Sequence, residues 1–492
     1  MKHKTRFKLL TFLALALAVS GPYLFFAFFR TNQGEAAQTP TLRYIFIFLA
    51  DGAGITHLEI TRLYNRHIHN DGLIIPDKIM REGTTGLSTT HSADSLSSDS
   101  AAAATALASG CKTKAGWIGT CADGSIPKTV LEVAKERGMR IGLVTNSTIY
   151  DASPAAFAGH VPDRRLYSPI IDQYLQLEPE LLLGGGRDLF LPMSQPGSRR
   201  RDETDMIASF RKRGYTYVSD KQGLSQAKGA KLLGLFSLRD MSFEIDRDKN
   251  IEPSVYDMTQ AAIRILQEGN QRGFVVFIET ENVDSAAHLT DIASIIHDFR
   301  EFDRAVGLAY EFYKKHPRET LILVTSDHET GGLGFTMAMK EMGNRKSPTA
   351  ATVQDLKKIQ SIPISLKKAV EILGPNPTSE SLDKLMADYF KEFFLAPDLK
   401  NAILSKGPIG RSIYLNPVAN GLGMMIANNT QAYWSTSSHT NHPVFVAALG
   451  VGAENFRGYQ DNTDFAKSLF ALLRTKDRAN RVKSKPQAST GS

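Results

Sequence analysis

Short runs of apolar residues recur along the chain and alternate with longer amphipathic segments. The runs are continuous and rich in β-branched residues, which predicts strands of a sheet that is covered on both faces. Seven such strands are predicted, at Tyr44–Ala50, Arg140–Thr145, Leu181–Leu183, Lys231–Phe236, Phe274–Ile278, Thr320–Thr325 and Val444–Leu449. Helices are predicted between them, most clearly at Ser125–Gly138, Tyr256–Gln267 and Ser294–Tyr313. This alternation predicts the α/β class, with a three-layer α/β/α sandwich around a largely parallel central sheet.

Three parts of the chain depart from this pattern. Residues 337–433 are rich in lysine and helical in character, with prolines between the helices, so we interpret them as a mostly helical insertion on the core. Near the start, four basic residues precede an apolar run, 9–29, that is typical of an export signal and is also about long enough to span a bilayer. Residues 1–37 are therefore predicted to be a signal peptide or a membrane anchor, and either would export the protein to the periplasm or the cell exterior. The last segment, 474–492, is polar and is predicted to be disordered, which leaves 38–473 as the folded domain.

The composition is that of a folded globular protein, since 42% of the 492 residues are hydrophobic and 22% are charged. This excludes a disordered chain, a collagen and a multi-span membrane protein. The net charge of +7 would suit a nucleic-acid partner, but it comes from the two ends of the chain. Residues 1–37 contribute +4 and residues 474–492 contribute +5, which leaves −2 for the body between them. We therefore expect no nucleic-acid specificity.

The chain contains two cysteines, Cys111 and Cys121. Outside the cytoplasm a pair this close in sequence can form a disulfide, and two free buried thiols are the alternative. A metal site is disfavoured because no histidine lies near them in the sequence.

Candidate metal ligands collect directly after predicted strands. Asp51, Glu279 and the pair Asp327–His328 each follow an apolar run, and in open α/β sheets ligands bind beyond the carboxyl ends of the strands. A single such residue could equally be a turn or a helix cap. Asp284 and His288 lie four residues apart, so they share one face of a helical turn, where a surface hydrogen bond is the alternative to a metal. Mixed Asp and His ligands suit zinc, whereas oxygen ligands alone suit magnesium.

The stretch Ser97–Gly110 is the most informative part of the sequence. Ser100 stands where an alanine-rich helix is predicted to begin, and the N–H groups and dipole of a helix N-terminus suit a phosphate or an alkoxide. A plain N-cap is the alternative.

At these residues the chain resembles the alkaline phosphatases, in particular bacterial members. The resemblance rests on separated motifs in the same order from Arg43 to Gly458, and it is weakest in 337–433. Asp99-Ser100-Ala101, followed by a helix of small residues and by Gly110-Cys111-Lys112-Thr113, carries it most specifically. The resemblance implies hydrolysis of small phosphate monoesters through a phosphoserine, with two Zn²⁺ and one Mg²⁺ as cofactors, in a homodimer.

The roles that the resemblance implies are as follows. Ser100 is the nucleophile, and Arg164 grips two phosphate oxygens. One zinc is held by Asp51, Asp327 and His328, and the other by Asp284, His288 and His439. The magnesium ligands are Asp51, Ser153 and Glu279. Asp99 orients Arg164, Asp151 holds a magnesium-bound water, and His160 supports Arg164 from behind.

Two positions depart from the family pattern. Ser153 stands where relatives more often have threonine, which keeps the hydroxyl. Ser285 follows Asp284 where relatives often carry lysine or histidine near the phosphate. Glu281 and Asp303 are interpreted as solvated or helix-surface groups. The remaining histidines are interpreted as surface or structural groups: His57, His67, His69, His91, His297, His316 and His442.

Two other functions remain open at this point. A phosphodiesterase or a sulfatase could use the same core, although such relatives usually have threonine or a modified cysteine where this chain has Ser100. A non-catalytic protein that binds phosphate or stores metal is the third interpretation, which the combination of nucleophile, arginine and ligands disfavours.

Overall fold

One sheet of ten strands forms the centre of the molecule. The computed structural model describes residues 41–342, 345–407 and 415–483, and the chain from Leu42 onward is one compact unit. The strands of this sheet are β1 Tyr44–Ala50, β2 Thr84–Ser88, β3 Arg140–Thr148, β4 Leu181–Gly185, β5 Thr216–Val218, β6 Leu232–Leu235, β7 Phe274–Thr280, β8 Thr320–Thr325, β15 Val444–Gly450 and β16 Gly458–Gln460. Across the sheet the ten strands lie in the order β16-β2-β15-β8-β1-β7-β3-β4-β6-β5. All seven predicted strands are among them.

The sheet is parallel except at one strand, as the sequence predicted. β15 runs antiparallel to both of its neighbours, β8 and β2. Six short strands form three separate antiparallel pairs, which are β9 Glu329–Thr330 with β14 His439–Thr440, β10 Gly334–Phe335 with β13 Ala432–Tyr433, and β11 Met337–Met342 with β12 Arg345–Ala350. The first of these pairs carries the candidate ligand His439.

Helices cover both faces of the sheet. They are α1 Ile55–Ile68, α2 Ser100–Ser109, α3 Val130–Glu136, α4 Ala152–Ala158, α5 Tyr167–Leu177, α6 Met206–Lys212, α7 Lys221–Gln226, α8 Val255–Gln267, α9 Asn282–His288, α10 Ile292–Lys315, α11 Val353–Gln360, α12 Leu366–Leu373, α13 Ser379–Tyr389, α14 Pro397–Ser405, α15 Pro417–Thr430 and α16 Asn462–Lys483. A π-helical turn at Ile75–Met80 and two 3₁₀ turns at Arg187–Leu189 and Ala453–Phe456 complete the regular structure.

The alternation of side chains along β1 produces two separate apolar cores. Phe46 and Phe48 point into one core, with α1, α8 and α10, whereas Ile47 and Leu49 point into the other, with α2 to α6 and α16. All seven residues of β1 are buried, which is what a central strand of a covered sheet requires. The observed architecture is therefore the predicted three-layer sandwich.

The helical part of residues 337–433 packs on the first of these cores. Buried leucines of α11 to α15 join the residues of α1 and α10 there, so this segment is continuous with the main hydrophobic core. The hairpin of β11 and β12 at its start was not predicted.

The structure describes part of the predicted C-terminal tail and none of the predicted N-terminal signal or anchor segment. Residues 474–492 were predicted to be disordered, but α16 continues through 474–483, and only 484–492 lie outside the described residues. Residues 1–37, with the apolar run 9–29, also lie outside them. Among the helices that the structure describes, none has the length and apolar character needed to cross a membrane.

Cys111 and Cys121 are joined by a disulfide, with their Cα atoms 5.7 Å apart. The bond follows directly on the last turn of α2 and closes the loop that returns toward the start of that helix. This is the outcome that the sequence favoured over free thiols.

We expect the double substitution C111S/C121S to lower the free energy of unfolding by about 2–3 kcal/mol, because opening a loop of this length increases the entropy of the unfolded chain. Urea unfolding, followed by circular dichroism, measures the difference. A reductant should weaken the wild type by the same amount and leave the double variant unchanged. Alkylation of both thiols in unreduced, denatured wild-type protein would contradict the disulfide.

Candidate active site

The carboxyl ends of three neighbouring strands lie level with one another. Leu49 of β1 pairs with Glu279 of β7 on one side and with Thr325 of β8 on the other. Asp51 and Asp327, which come two residues after these pairing positions, therefore end up beside Glu279. All three carboxylates are buried. The crevice that the sequence predicted beyond the strand ends is thus built from acidic side chains.

Asp51, Asp327 and His328 form the first candidate metal group. Nε2 of His328 lies 3.3 Å from Oδ2 of Asp327 and 3.6 Å from Oδ1 of Asp51. Those two carboxylate oxygens are buried and have no hydrogen-bond partner within the described part of the chain. Burial, together with the neighbouring carboxylates, raises the pKa of Asp51 well above its ordinary value and that of Asp327 to about 7. A divalent cation fits this site, because it would satisfy both oxygens and offset their repulsion.

Asp284, His288 and His439 form the second group. The first two lie one turn apart on α9, with His288 Nε2 at 3.1 Å from Asp284 Oδ2, and His439 reaches them from β14. The Nε2 atoms of the two histidines face each other at 3.1 Å, while their Nδ1 atoms lie 2.8 Å and 2.7 Å from the carbonyl oxygens of Ser437 and Ser98.

Positive charge is required between these three side chains. Because each Nδ1 faces a carbonyl oxygen, it carries the ring hydrogen, so two neutral rings would point bare lone pairs at each other. Burial lowers the pKa of His288, but the Asp284 carboxylate outweighs this and raises it to about 9, so a proton can supply the charge. A zinc ion would serve the same purpose, and two imidazoles with a carboxylate are typical zinc ligands.

A single hydroxyl connects the two groups. Thr330 Oγ1 donates a hydrogen bond to Oδ1 of Asp284 and lies 3.3 Å from Nδ1 of His328. Since the hydroxyl proton is directed to Asp284, Nδ1 of His328 must be the donor in the other bond, and this leaves Nε2 of His328 free as a ligand. No sequence pattern indicated Thr330 as a site residue, although it lies only two residues after His328.

Asp51, Ser153 and Glu279 form a third, all-oxygen group. Ser153 Oγ donates to Asp51 Oδ2 at 3.3 Å, and Glu279 Oε2 accepts from Thr145 Oγ1 at 2.6 Å. The other oxygen of Glu279 is buried without a hydrogen-bond partner among the described residues, and burial raises the pKa of Glu279 to about 8. Oxygen ligands of this kind suit magnesium.

Ser100 is the first residue of α2 and lies at the edge of these groups. Its Oγ is 3.2 Å from Nε2 of His328, and Asp99 caps the helix by accepting from the N–H of Ala102 at 3.1 Å. Six of the nine residues that follow Ser100 in the helix are alanines and are buried, so the backbone packs closely and its positive end is held against the crevice. Ser100 therefore lies both beside a candidate metal-ligand histidine and at a helix N-terminus.

Arg164 lies between two carboxylates. Its Nη1 is 3.3 Å from Asp99 Oδ2 and its Nη2 is 3.1 Å from Asp151 Oδ1. Asp99 also accepts from the backbone N–H of Gly116 at 3.0 Å and 3.1 Å, and Asp151 accepts from Ser147 Oγ at 2.9 Å. The neighbouring Arg165 is 79% exposed, so it is Arg164 that points inward. Its fork geometry suits two oxygens of a phosphate.

Comparison with known proteins shows which family the chain belongs to. The sequence model of the family described as Alkaline phosphatase matches residues 42–475. The chain belongs to the alkaline phosphatase family.

Individual relatives agree with this assignment. Alkaline phosphatase 3 of Bacillus subtilis (strain 168) is 30% identical over 457 residues, which is 91% of each chain. The repressible alkaline phosphatase of Saccharomyces cerevisiae is also 30% identical, over 87% of this chain and 81% of the relative. The crystal structure of Thermus thermophilus alkaline phosphatase matches with a TM-score of 0.79 and 27% identity, and it covers 90% of this chain and 94% of that one.

The role predicted for His160 in this alkaline phosphatase needs correction. Its Nδ1 lies 2.6 Å from the carbonyl oxygen of Gly119 and its Nε2 lies 3.1 Å from both carboxylate oxygens of Glu132. His160 therefore ties the loop that the disulfide closes to α3, and its ring hydrogen bonds do not run to Arg164.

Glu281 and Asp303 were also misassigned, since neither carboxylate is solvated. One oxygen of Glu281 accepts from Ser285 Oγ at 2.7 Å, and the other is buried without a hydrogen-bond partner in the described ranges. Asp303 accepts from the backbone N–H groups of Ile74 and Ile75, both at 2.8 Å, and burial raises its pKa to about 7. The Asp303 contacts could not be read from a helical pattern, because they involve a segment that is distant in sequence.

The other histidines divide into exposed and structural ones, as expected for non-ligands. His57 is fully buried and accepts from the N–H of Gly54 at 3.0 Å, which holds the turn between β1 and α1. Burial, followed by nearby cations, lowers the pKa of His297 to about 4. The remaining five lie at or near the surface: His67, His69, His91, His316 and His442.

We expect Thr330→Val to weaken zinc binding by about 10–100-fold, because the two metal groups would lose the hydroxyl that orients Asp284 and His328. Zinc retained per chain during dialysis against graded chelator measures this. Thr330→Ser should keep most of the affinity.

Thr325→Val is the matched control. Thr325 is equally buried, but its hydroxyl donates to the carbonyl of Phe445 at 2.9 Å and touches no candidate ligand. Equal zinc retention in Thr330→Val and Thr325→Val would show that the Thr330 hydroxyl does not orient the ligands.

Proposed function

We propose that this chain hydrolyses phosphate monoesters through a phosphoserine at Ser100, at a site that holds two zinc ions and one magnesium ion. The observation that carries the proposal is the position of Ser100 Oγ, 3.2 Å from His328 Nε2 at the N-terminus of α2. Family membership supports the reaction class, and the donor sets of the three groups support the choice of metals.

The residues of the chain perform distinct tasks in this reaction. The Ser100 oxygen attacks phosphorus, the bond between phosphorus and the ester oxygen breaks, and the alcohol leaves with a proton, so that a phosphoserine remains. The N–H groups at the start of α2 stabilise the negative charge of the phosphate. Arg164 binds two non-bridging oxygens, and Asp99 and Asp151 hold its guanidinium in the orientation required. Water then releases phosphate from Ser100.

Each metal has a proposed set of ligands. Asp51, Asp327 and His328 would hold one zinc, Asp284, His288 and His439 the other, and Asp51, Ser153 and Glu279 the magnesium. When bound, the zinc ions supply Lewis-acid stabilisation of the attacking and leaving oxygens. Asp51 takes part in two of the three sets, since its two carboxylate oxygens face different groups.

The cellular context of this activity is also proposed. The basic and apolar pattern of residues 1–37 and the family resemblance support an exported enzyme, either released after cleavage or tethered by residues 9–29. Resemblance alone supports a homodimer.

We expect Ser100→Ala to lower kcat/KM for p-nitrophenyl phosphate by about a thousandfold or more, because the nucleophilic oxygen is removed. Acid quenching of wild-type protein with labelled substrate should trap phosphate on Ser100, and the variant should trap none. Ser109→Ala, at the other end of the same helix, should retain activity. Full activity in Ser100→Ala would exclude the assignment.

A second measurement tests the metals and the reaction class together. Removal of metal by a strong chelator should abolish turnover, and zinc with magnesium should restore it. The restored enzyme should hydrolyse p-nitrophenyl phosphate far faster than bis-p-nitrophenyl phosphate or p-nitrophenyl sulfate, because a diester lacks the second charged oxygen that Arg164 and the cations bind. Preference for the diester or the sulfate would favour the phosphodiesterase or sulfatase interpretation. Phosphate binding without turnover would favour a non-catalytic protein.

A further inference from the structure

We infer that the cavity beside Arg164, walled by Trp117, receives the organic group of the substrate and favours an aromatic ring. This inference rests on the proposed phosphomonoesterase activity and adds a substrate class to it. The cavity has a volume of about 320 Å³ and lies between residues 115–117 and residues 162–165.

The cavity wall is physically continuous with the arginine that would bind phosphate. The N–H of Arg164 donates to the carbonyl of Gly116 at 2.7 Å, and the N–H of Gly116 donates to the Asp99 carboxylate that orients the Arg164 guanidinium. Trp117 is the next residue in the chain. The cavity wall at Gly116 is thus joined through the Asp99 carboxylate to the guanidinium that would hold the ester, which puts the cavity within reach of a substituent on that ester.

The loop that presents Trp117 is fixed on both sides. Ile118 and Val161 exchange two backbone hydrogen bonds of 2.9 Å, so Trp117 and Pro162 are held on opposite walls of the cavity. The Cys111–Cys121 disulfide closes the same loop. Such a surface loses little conformational entropy when it binds a ring.

The size and lining of the cavity select the class of ligand. Its volume is near the lower end of the about 300–1,000 Å³ that small-molecule sites occupy, which suits a single ring. Trp117 and Pro162 offer apolar surface, and the charges of Arg165 and Asp163 pair with each other at 2.6 Å. The ammonium of Lys114 lies 4.8 Å from the centre of the indole and adds positive charge next to an anionic ester.

The exposure of Trp117 distinguishes it from the other tryptophan. Trp434 is 8% exposed and packs within the main core, as a structural tryptophan does. Trp117 is only partly buried, and it lines the cavity. Since tryptophan is a strong stacking partner for flat rings, this position favours an aryl substituent over an alkyl one.

The test compares the zinc- and magnesium-loaded wild type with Trp117→Ala on two substrates, phenyl phosphate and glycerol 2-phosphate. We expect kcat/KM for phenyl phosphate to fall by about tenfold, mainly through KM, while the value for glycerol 2-phosphate changes less than about twofold. Inhibition by inorganic phosphate should not change. Trp117→Phe should restore most of the preference, and Tyr459→Ala, which removes an exposed aromatic ring outside the cavity, should have no effect.

An equal loss on both substrates would overturn the inference, because it would mean that Trp117 only supports Arg164. No loss on either substrate would overturn it as well. Calorimetric binding of phenylphosphonate and methylphosphonate separates this result from a failure of the proposed function, since neither is hydrolysed. The wild type should bind phenylphosphonate more tightly and Trp117→Ala should lose the difference, whether or not the enzyme turns over monoesters. Equal affinity of the wild type for the two phosphonates would overturn the inference.

Discussion

Asp51, Asp327 and Glu279 are buried beside one another because three neighbouring strands end at the same level. Burial, and after it the repulsion from neighbouring carboxylates, raises the pKa values of all three. A fold that concentrates carboxylates in this way is stable with the groups ionised only when cations bind among them. The strand register therefore places the carboxylates of the candidate metal groups next to one another.

The histidines convert this acidic crevice into defined sites. His288 and His439 are oriented by backbone carbonyls, and His328 is oriented by the hydroxyl of Thr330. In each case the second ring nitrogen is engaged, so that Nε2 is directed to the site. Burial, followed by the neighbouring His439, holds the pKa of His328 well below its ordinary value, which keeps that ring neutral and able to act as a ligand. The groups that hydrogen-bond to these histidines therefore define the geometry of the candidate sites as much as the histidines do.

The central strands could be predicted because they are continuous apolar runs, and β1 and β8 begin and end where the sequence predicted. β2, β5 and β16 could not be predicted. Thr84–Ser88 has one apolar side chain, that of Leu87, and Thr216–Val218 and Gly458–Gln460 are each three residues long. The end of α16 was missed because residues 474–483 are mostly charged and polar, which suggests disorder. They continue a helix whose earlier residues Phe465, Leu469 and Leu473 pack into the second core.

The candidate ligands could be predicted for a similar reason, because a residue that follows a buried strand has a known position at the sheet edge. The motif order then identified residues that no pattern of hydrophobicity reveals, such as His439 and Arg164. Thr330 and the environment of His160 could not be predicted, since each depends on a contact between side chains that only the folded chain brings together.

The contact between Ser285 and Glu281 shows how one substitution changes the charge of the whole site. Where relatives often carry lysine or histidine, this chain has a hydroxyl that donates to a buried carboxylate. Burial, followed by Asp240 and Asp151, raises the pKa of Glu281 well above its ordinary value, so this carboxyl favours its neutral form and offers no positive charge to a phosphate. In the proposed reaction Arg164 is then the side chain that would supply positive charge to the phosphate, and cations at the candidate metal groups would supply the rest. Asp99 and Asp151 share the Arg164 guanidinium, and the hydrogen bonds from Gly116 and Ser147 to these two carboxylates hold the arginine's partners in place.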